Sequence, residues 1–375
     1  MLRRALPAVV VALLAVLALP AQASSDEPQI EAAAWYLVGE DDVVLAQQSS
    51  RRARAIASIT KLMTALVALE HASPSNVVRV SPAVASLGGS TIFLQGGEEL
   101  TVAELVRATL IPSANDAATA LALHVGDGSI DRFVELMNEK ARGLGLKDTT
   151  FSNPHGLDEP GHVSSARDVT LLVRYALGVP VLRDALGRTS FTFSGREFPT
   201  TDDLNASWPP LLGAKTGHTA AAGWSEAGAA RARGATVYGA VLGTDTRAER
   251  NEALRTLLSY GLARYRRIAA VDATRVYAVA ETGYGRPAVE LVAPKTMPRT
   301  VHESTSLVER VIAPRAVGLP IRQGERLGRV ELWDGDRLLA SSSLVAATDV
   351  SEPGILGKAG WFARRTTSNL WGLVS

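Results

Sequence analysis

The strongest helical pattern in the chain lies between residues 57 and 70. Apolar residues recur there every three or four positions and so share one helix face, namely Ile59, Leu62, Met63, Leu66 and Val67. Ser58 and Lys61 lie one turn apart beside that face. A hydroxyl is a weak nucleophile, and an adjacent amine can take its proton. The pattern therefore predicts a nucleophile and its base at the start of a buried helix, whose N-terminus also favours negative charge at the attacked centre.

The residues around this helix alternate between helical and strand-like patterns. Helices are predicted over 101–110, 116–125, 129–144, 166–177 and 247–266, and strands over 32–38, 43–46, 190–198, 213–219, 224–230 and 235–242. Thr101, followed three residues later by Glu104, predicts a capping box. Because the strands occur at both sequence ends of a helical middle, we expect one sheet made from both ends, with helices packed on it.

The chain changes character near residue 267. Residues 271–350 form short alternating runs broken by turns, which predicts a small all-β domain over 268–350. Residues 351–375 follow, with apolar side chains on one helical face, basic side chains opposite, and Trp361 and Trp371 at the borders. This is typical of a helix lying in the membrane interface, and the alternative is a helix docked on the β domain.

The N-terminus has the pattern of a signal peptide. Arg3 and Arg4 precede an apolar run over 5–19, and Ala21-Gln22-Ala23 supplies a small-x-small cleavage pattern. We therefore predict a signal peptide over 1–23 and export to the extracytoplasmic face of the membrane, with an uncleaved anchor as the alternative.

Composition narrows the classes of function. A length of 375 residues suggests two domains. The formal charge is +1, or −1 without the two leader arginines, and no basic block suggests nucleic-acid binding. The chain has no cysteine, which excludes a disulfide, a thiolate metal site and a cysteine nucleophile.

Three short motifs carry the candidate chemistry: Ser58-x-x-Lys61, Ser113-x-Asn115 and Lys215-Thr216-Gly217. Each is weak alone, since each could be a helix cap with a solvated lysine, an ordinary turn, or a lysine on an edge strand. Together the three motifs are far more specific, because they occur in this order and each falls at a structural transition: a helix start, an interhelix turn and a strand.

In these motifs the chain resembles the serine penicillin-binding proteins and β-lactamases, and more closely the low-molecular-mass D-alanyl-D-alanine carboxypeptidases. Further stretches support the resemblance, namely 111–118, 151–158, 165–168 and 215–219. It implies an α/β (α+β) fold with an antiparallel sheet and helices on it over 24–267. The β domain and the amphipathic tail also resemble usual appendages of that family. No metal or cofactor is implied.

The resemblance assigns a role to each motif residue. Ser58 would attack the carbonyl between two D-alanines of a peptidoglycan stem peptide and form an acyl-enzyme, which β-lactam antibiotics would trap. Lys61 would be the base, with its pKa lowered by burial and by the nearby Lys215 cation. Ser113 would pass a proton to the departing D-alanine, and Asn115 would hold the substrate amide and Lys61.

The third motif would bind the substrate terminus. Lys215 and Thr216 would hold the terminal carboxylate, and Gly217 would let substrate lie along the strand. The backbone N–H groups of Ser58 and His218 would form the oxyanion hole. His155 and Asp158 are expected to shape a loop rather than to act on substrate.

Three other functions use or resemble the same motifs. A β-lactamase of this type needs a Glu-x-x-Leu-Asn loop, but Thr201 stands at the Glu position before Leu204-Asn205, too close to Lys215. A D,D-endopeptidase would share the site. A non-catalytic cell-wall scaffold would not need all the motif residues. Residues 200–205 stand where the family often carries an Arg/Asn-rich segment, so an extra arginine contact to the substrate carboxylate is not expected and the substrate preference is expected to differ.

Overall fold

The computed structural model describes residues 10–16, 27–86 and 88–371. The α-helices are α1 Lys61–His71, α2 Val102–Leu110, α3 Asn115–Val125, α4 Ile130–Gly143, α5 Ala166–Gly178, α6 Pro180–Leu186, α7 Leu204–Ser207, α8 Arg247–Ala263 and α9 Ile355–Trp371. Short 3₁₀ helices cover Ala57–Thr60 and Pro82–Ser86.

The strands follow the same chain order. They are β1 Val10–Val16, β2 Ala34–Gly39, β3 Val44–Gln48, β4 Val77–Arg79, β5 Glu99–Thr101, β6 Ser190–Phe193, β7 Arg196–Pro199, β8 Leu211–Thr219, β9 Gly223–Ala232, β10 Ala235–Thr244, β11 Tyr265–Val271, β12 Val276–Thr282, β13 Val289–Val292, β14 Met297–His302, β15 Leu307–Pro314, β16 Ala316–Val317, β17 Arg326–Asp334 and β18 Arg337–Ala346. The chain divides into a larger unit that ends at Tyr265 and a smaller unit that contains β1 and everything from Arg266 onward.

A five-stranded antiparallel sheet organises the larger unit. Its strand order is β3-β2-β10-β9-β8, so β8 is an edge strand and the N-terminal hairpin joins strands from the end of the unit. This confirms the expectation of one sheet assembled from both ends of the region. On β8, Lys215 stands opposite Ala227 and Thr216 stands opposite Glu226 of β9.

Helices cover both faces of this sheet. Along β2, Ala34, Tyr36 and Val38 belong to the core that the helices before β6 share with the sheet. Trp35 and Leu37, which point the other way, belong to a second core with α8. This alternation follows from the two-residue period of a strand, and it explains why β2 is apolar at every position.

The helix boundaries follow the capping signals in the sequence. Thr101 and Glu104 form the predicted capping box at the start of α2. The helix around Ser58 differs from expectation, because Ser58 lies in a 3₁₀ turn and the α-helix begins at Lys61. Ala57 adopts a left-handed φ of 47°, which breaks helical geometry directly before the nucleophile.

The smaller unit is mainly β-structure, as the alternating pattern predicted. Its larger sheet has the order β1-β15-β17-β18-β13-β12-β16, with one parallel neighbour pair, β12 and β16. A core of small and branched apolar residues lies against it and includes Val289, Leu291, Val330 and Leu344. Within the expected leader, Val10–Val16 pairs with β15, and the expected cleavage position after Ala23 lies outside the described residues.

The C-terminal helix α9 combines exposed apolar residues with an aromatic contact. Ile355 and Leu356 are 87% and 89% exposed. The ring centroids of Trp361 and Phe362 lie 5.6 and 6.3 Å from that of Tyr284. The tail's last apolar positions, 373 and 374, lie outside the described residues. In the part of the chain that the structure describes, no helix has the length and apolarity needed to cross a bilayer.

Candidate active site

The amine of Lys61 sits at the centre of the site and contacts three oxygen atoms. Its Nζ lies 2.7 Å from Ser58 Oγ, 2.7 Å from Asn115 Oδ1 and 2.8 Å from the backbone oxygen of His155. Two of these partners are carbonyl oxygens, which only accept hydrogen bonds. When Lys61 is neutral, its two N–H groups are therefore directed to the carbonyls, and its lone pair faces the hydroxyl of Ser58.

Two glycines hold the turn that carries Ser58. A Cβ on Gly217 would lie 2.7 Å from the backbone oxygen of Ile56 and 3.1 Å from the backbone nitrogen of Ser58. A Cβ on Gly156, which has a φ of 88°, would lie 1.9 Å from the backbone oxygen of Ala57. From the sequence we expected Gly217 to leave space for the substrate along the strand. The structure adds a second requirement, because backbone from both sides closes directly on the nucleophile turn.

The second motif forms the turn between α2 and α3. Ser113 is buried with a left-handed φ of 64°. The amide of Asn115 donates from Nδ2 to the backbone oxygen of Gly88, 2.7 Å away. The neighbouring carboxylate of Asp116 accepts from the backbone N–H groups of Ile92 and Leu94. The loop over 88–94 therefore fixes the orientation of Asn115.

The third motif lies on the edge strand β8. The buried Lys215 donates from Nζ to Ser113 Oγ at 3.0 Å and to the backbone oxygen of Thr216 at 3.1 Å. Thr216 Oγ1 lies 2.7 Å from Thr201 Oγ1. His218 is exposed, and its ring stacks on Trp224 with centroids 4.0 Å apart. Hydrogen bonds of Lys61 thus join it to Ser58 and Asn115, and a hydrogen bond of Lys215 joins it to Ser113.

The two lysines differ in how their environment affects protonation. Burial lowers the pKa of Lys61 well below its usual value, and the Lys215 cation lowers it further, against the opposing charge of Asp116. Burial and the charge of Arg250 lower the pKa of Lys215 to about 7, while Asp202 and Glu226 raise it. Desolvation and mutual repulsion therefore disfavour two cations in the site at once.

The loop over 151–162 contributes groups that the motifs did not reveal. The contribution of His155 to Lys61 is its backbone oxygen, which no sequence pattern marks. His162 accepts from the backbone N–H of Ser152 at Nδ1, and its Nε2 lies 2.7 Å from Thr60 Oγ1. Burial lowers the pKa of both histidines to about 4, so both rings are neutral at pH 7.

Asp158 connects this loop to the turn after β8. Its carboxylate accepts from Thr219 Oγ1 at 2.6 Å and from the backbone N–H of Ala221 at 3.2 Å. Asp158 thus contributes to loop geometry, in the manner expected from the sequence. The contacts bring the loop over 151–162 and the β8–β9 hairpin together near the nucleophile turn.

Comparison with known proteins identifies the family of this chain. Residues 21–246 match the family described as D-alanyl-D-alanine carboxypeptidase. The D-alanyl-D-alanine carboxypeptidase DacF of Bacillus subtilis (strain 168) is 31% identical over 333 residues, which cover 84% of this chain and 84% of that protein.

Solved structures give the same result. Penicillin binding protein 5 from Haemophilus influenzae is similar with a TM-score of 0.64 and 26% identity, over 87% of this chain and 99% of that one. Penicillin binding protein 6B from Escherichia coli gives a TM-score of 0.64 and 27% identity, over 85% and 96%. Given a family match over more than half of its length and similar proteins across most of both chains, the chain belongs to the D-alanyl-D-alanine carboxypeptidases, within the low-molecular-mass penicillin-binding proteins.

Proposed function

We propose that this protein removes the terminal D-alanine from peptidoglycan stem pentapeptides through an acyl-enzyme on Ser58. The observation that carries the proposal is the placement of Lys61 Nζ 2.7 Å from Ser58 Oγ, with its other two contacts made by carbonyl oxygens. This geometry leaves the lone pair of a neutral lysine facing the hydroxyl, as a general base requires.

Acylation begins with proton transfer from Ser58 to Lys61. Ser58 Oγ forms a bond to the carbonyl carbon between the two D-alanines while Lys61 Nζ takes the hydroxyl proton. The carbonyl oxygen becomes an oxyanion, to which the backbone N–H groups of Ser58 and His218 would donate. Each such donor is typically worth about 3 kcal/mol in the transition state.

Collapse of the tetrahedral intermediate breaks the bond between the two D-alanines. Ser113 Oγ gives its proton to the departing amine and receives in turn the proton that Lys61 took from Ser58, while the 3.0 Å contact from Lys215 Nζ supports the serine. Asn115 would hold the substrate amide. Lys215 and Thr216 would bind the terminal carboxylate, and Gly217 would leave space for substrate along β8. Water then hydrolyses the ester on Ser58 and restores the hydroxyl.

A labelling experiment tests the nucleophile. Purified protein is incubated with a fluorescent penicillin and separated on a denaturing gel. We expect a covalent label on the wild type and none on Ser58→Ala. Ser129→Ala, which removes a hydroxyl from the N-cap of α4 in the same unit, should still be labelled. A labelled Ser58→Ala variant would overturn the assignment.

Substrate assays separate the reactions that share this site. Release of D-alanine from a stem pentapeptide supports the carboxypeptidase, whereas a preference for crosslinked muropeptides would indicate the D,D-endopeptidase. The lifetime of the penicillin label separates either from a β-lactamase, which would lose the label rapidly. The position of Thr201, hydrogen-bonded to Thr216 instead of presenting a carboxylate, supports a slow loss.

We also propose export by the signal peptide over 1–23 and attachment of the tail over 351–375 to the extracytoplasmic face of the membrane. The exposed Ile355, Leu356 and Phe362 support the attachment, since apolar side chains of this size favour a membrane interface over water. A chain ending at Pro353 should leave the membrane fraction and keep its activity. If it still pellets with membranes, the attachment has another cause.

A further inference from the structure

A buried group of charged residues lies at the edge of the sheet and takes no part in the steps above. Glu226 stands on β9 directly opposite Thr216, and Arg250 extends from α8. Arg250 Nε lies 3.3 Å from Glu226 Oε2, and the two side chains are 2% and 0% exposed. Asp202, also buried, directly follows the threonine that contacts Thr216.

The two carboxyl groups of this cluster are poorly supplied with hydrogen-bond donors. Asp202 Oδ1 accepts from the backbone N–H of Leu204 at 2.9 Å. Asp202 Oδ2 and both oxygens of Glu226 have no hydrogen-bond donor among the residues that the structure describes. Burial without donors strongly disfavours an ionised carboxylate.

The missing hydrogen-bond donor can come from the pair itself, if one of the two carboxyl groups keeps its proton. Glu226 stands opposite Thr216, whose hydroxyl contacts Thr201, the residue before Asp202, so the two acids are close and each affects the protonation of the other. Two ionised carboxylates cannot bond to each other, but a carboxylic acid can donate to a carboxylate. Burial raises the pKa of both groups, most strongly that of Glu226. The pair then carries one negative charge.

This charge acts on Lys215, whose own hydrogen-bond acceptors are neutral. The ammonium donates to a hydroxyl and a backbone carbonyl, so neither partner balances its charge. Asp202 and Glu226 raise the pKa of Lys215, and Arg250 and burial lower it.

Several other charges face the cluster. Asp203, from the loop that holds Asp202, pairs with Arg247 and Arg250 of α8. The amine of Lys61, from α1, also lies in electrostatic range of Lys215, so a charge on one lysine disfavours a charge on the other. A single net negative charge on the carboxyl pair therefore favours the cationic form of Lys215 against these opposing effects.

We propose that Asp202 and Glu226 share one proton and act as a positioning pair whose single negative charge keeps Lys215 cationic for the substrate's terminal carboxylate. The proposal rests on the proposed function of Lys215. Neither acid touches the substrate, and both act through the lysine.

Replacing Asp202 and Glu226 by their amides distinguishes a carboxyl pair that holds one proton from a pair that holds none. Glu226→Gln supplies a donor to an ionised Asp202, and Asp202→Asn does the same for Glu226, so each single variant keeps one negative charge. The double variant has none. We expect each single variant to keep KM for the pentapeptide within about twofold of wild type at pH 7. In the double variant the alkaline limb of the kcat/KM profile should move down by about one pH unit.

The double variant should also raise KM much more than it lowers kcat, because it weakens carboxylate binding. Asp127→Asn is the matched control, since that exposed acid pairs with Arg132 and is not among the charges that act on Lys215. A double variant with the wild-type pH profile overturns the proposal, as does a single variant that already shifts the profile by about one unit. Fluorescent penicillin labelling of the wild type tests the proposed function separately, so the two failures are distinguishable.

A spectroscopic measurement on the wild type does not depend on how the double variant folds. Infrared spectroscopy at pH 7 should show a buried, protonated carboxyl band that disappears in each single variant. If that band is absent from the wild type, the pair does not share a proton.

Discussion

Two buried carboxylates, one in each unit of this protein, have opposite surroundings. In the smaller unit, Glu309 receives two hydrogen bonds from Arg275, at 2.8 and 2.9 Å. In the larger unit, Glu226 is fully buried with Arg250 Nε at 3.3 Å and without a hydrogen bond from it. The first carboxylate is paired in the geometry that stabilises a buried charge, and the second is not.

The difference shows that unfavourably buried charges occur near the active site and not in the smaller unit's ion pair. The pair in the smaller unit can be explained by folding alone. Around Lys61 and Lys215, burial and like charges instead lower the pKa of both lysines, and this alters reactivity at a cost in stability. Strained backbone marks the same region, since Ala57 and Ser113 both have left-handed φ angles.

Among the substitutions that test this comparison, we expect Lys61→Met to have the largest effect, on the rate of acylation. The substitution keeps an apolar chain of similar length and removes the base, so acylation by fluorescent penicillin should slow by about a thousandfold. Lys140→Met is the matched control, because Lys140 pairs with Glu70 on α1, away from Ser58. If Lys61→Met is acylated as fast as wild type, its buried amine has only a structural role.

A smaller effect, on stability instead of activity, is expected from Arg275→Ala. This leaves the buried Glu309 without its partner and should destabilise the smaller unit by about 2 kcal/mol, a value reduced because Arg275 is partly exposed. Hydrogen exchange at Val311 and Val330 measures the change.

Arg310→Ala, on the exposed side of β15, is the matched control and should leave that exchange unchanged. The acylation rate should stay at the wild-type value in both variants. Slower acylation in Arg275→Ala would show that this ion pair also serves the reaction.

An effect that is confined to acid pH and absent at pH 7 is expected from His162, which contacts Thr60. Burial lowers the folded-state pKa of His162 to about 4, against an ordinary value of 6.5. Between these two pKa values the unfolded chain binds more protons than the folded chain. The free energy of unfolding is therefore fully present above pH 6.5 and falls as the pH drops toward 4. Thermal unfolding of His162→Asn should depend less on pH in this window than that of wild type. An equal dependence in both would contradict the assignment.

Local patterns in the sequence predicted much of this structure. The Thr101 capping box, the helix predicted over 116–125 and the strand that carries Lys215 depend on neighbours within a few residues, and each is present, the helix beginning one residue earlier at Asn115. The all-β character of the smaller unit was equally visible, because alternation is a local property of each strand.

The remaining features depend on residues that are distant in sequence. Thr201 meets Thr216, and Glu226 stands opposite Thr216, only once β8 and β9 have paired in one register. The acceptor that His155 offers to Lys61 is a backbone oxygen, which any residue could supply. The pattern of apolar positions also could not reveal that Ser58 lies in a 3₁₀ turn, since that depends on the φ of Ala57.

The close approach of Gly156 and Gly217 to the nucleophile turn has a consequence for how this enzyme can change over time. Main-chain atoms, which every amino acid shares, fix the position of the reactive hydroxyl from two sides. A side chain at either position would displace the turn, so both positions are restricted to glycine. An inhibitor that reacts with this hydroxyl therefore meets a turn that cannot change at residues 156 and 217 without moving the nucleophile itself.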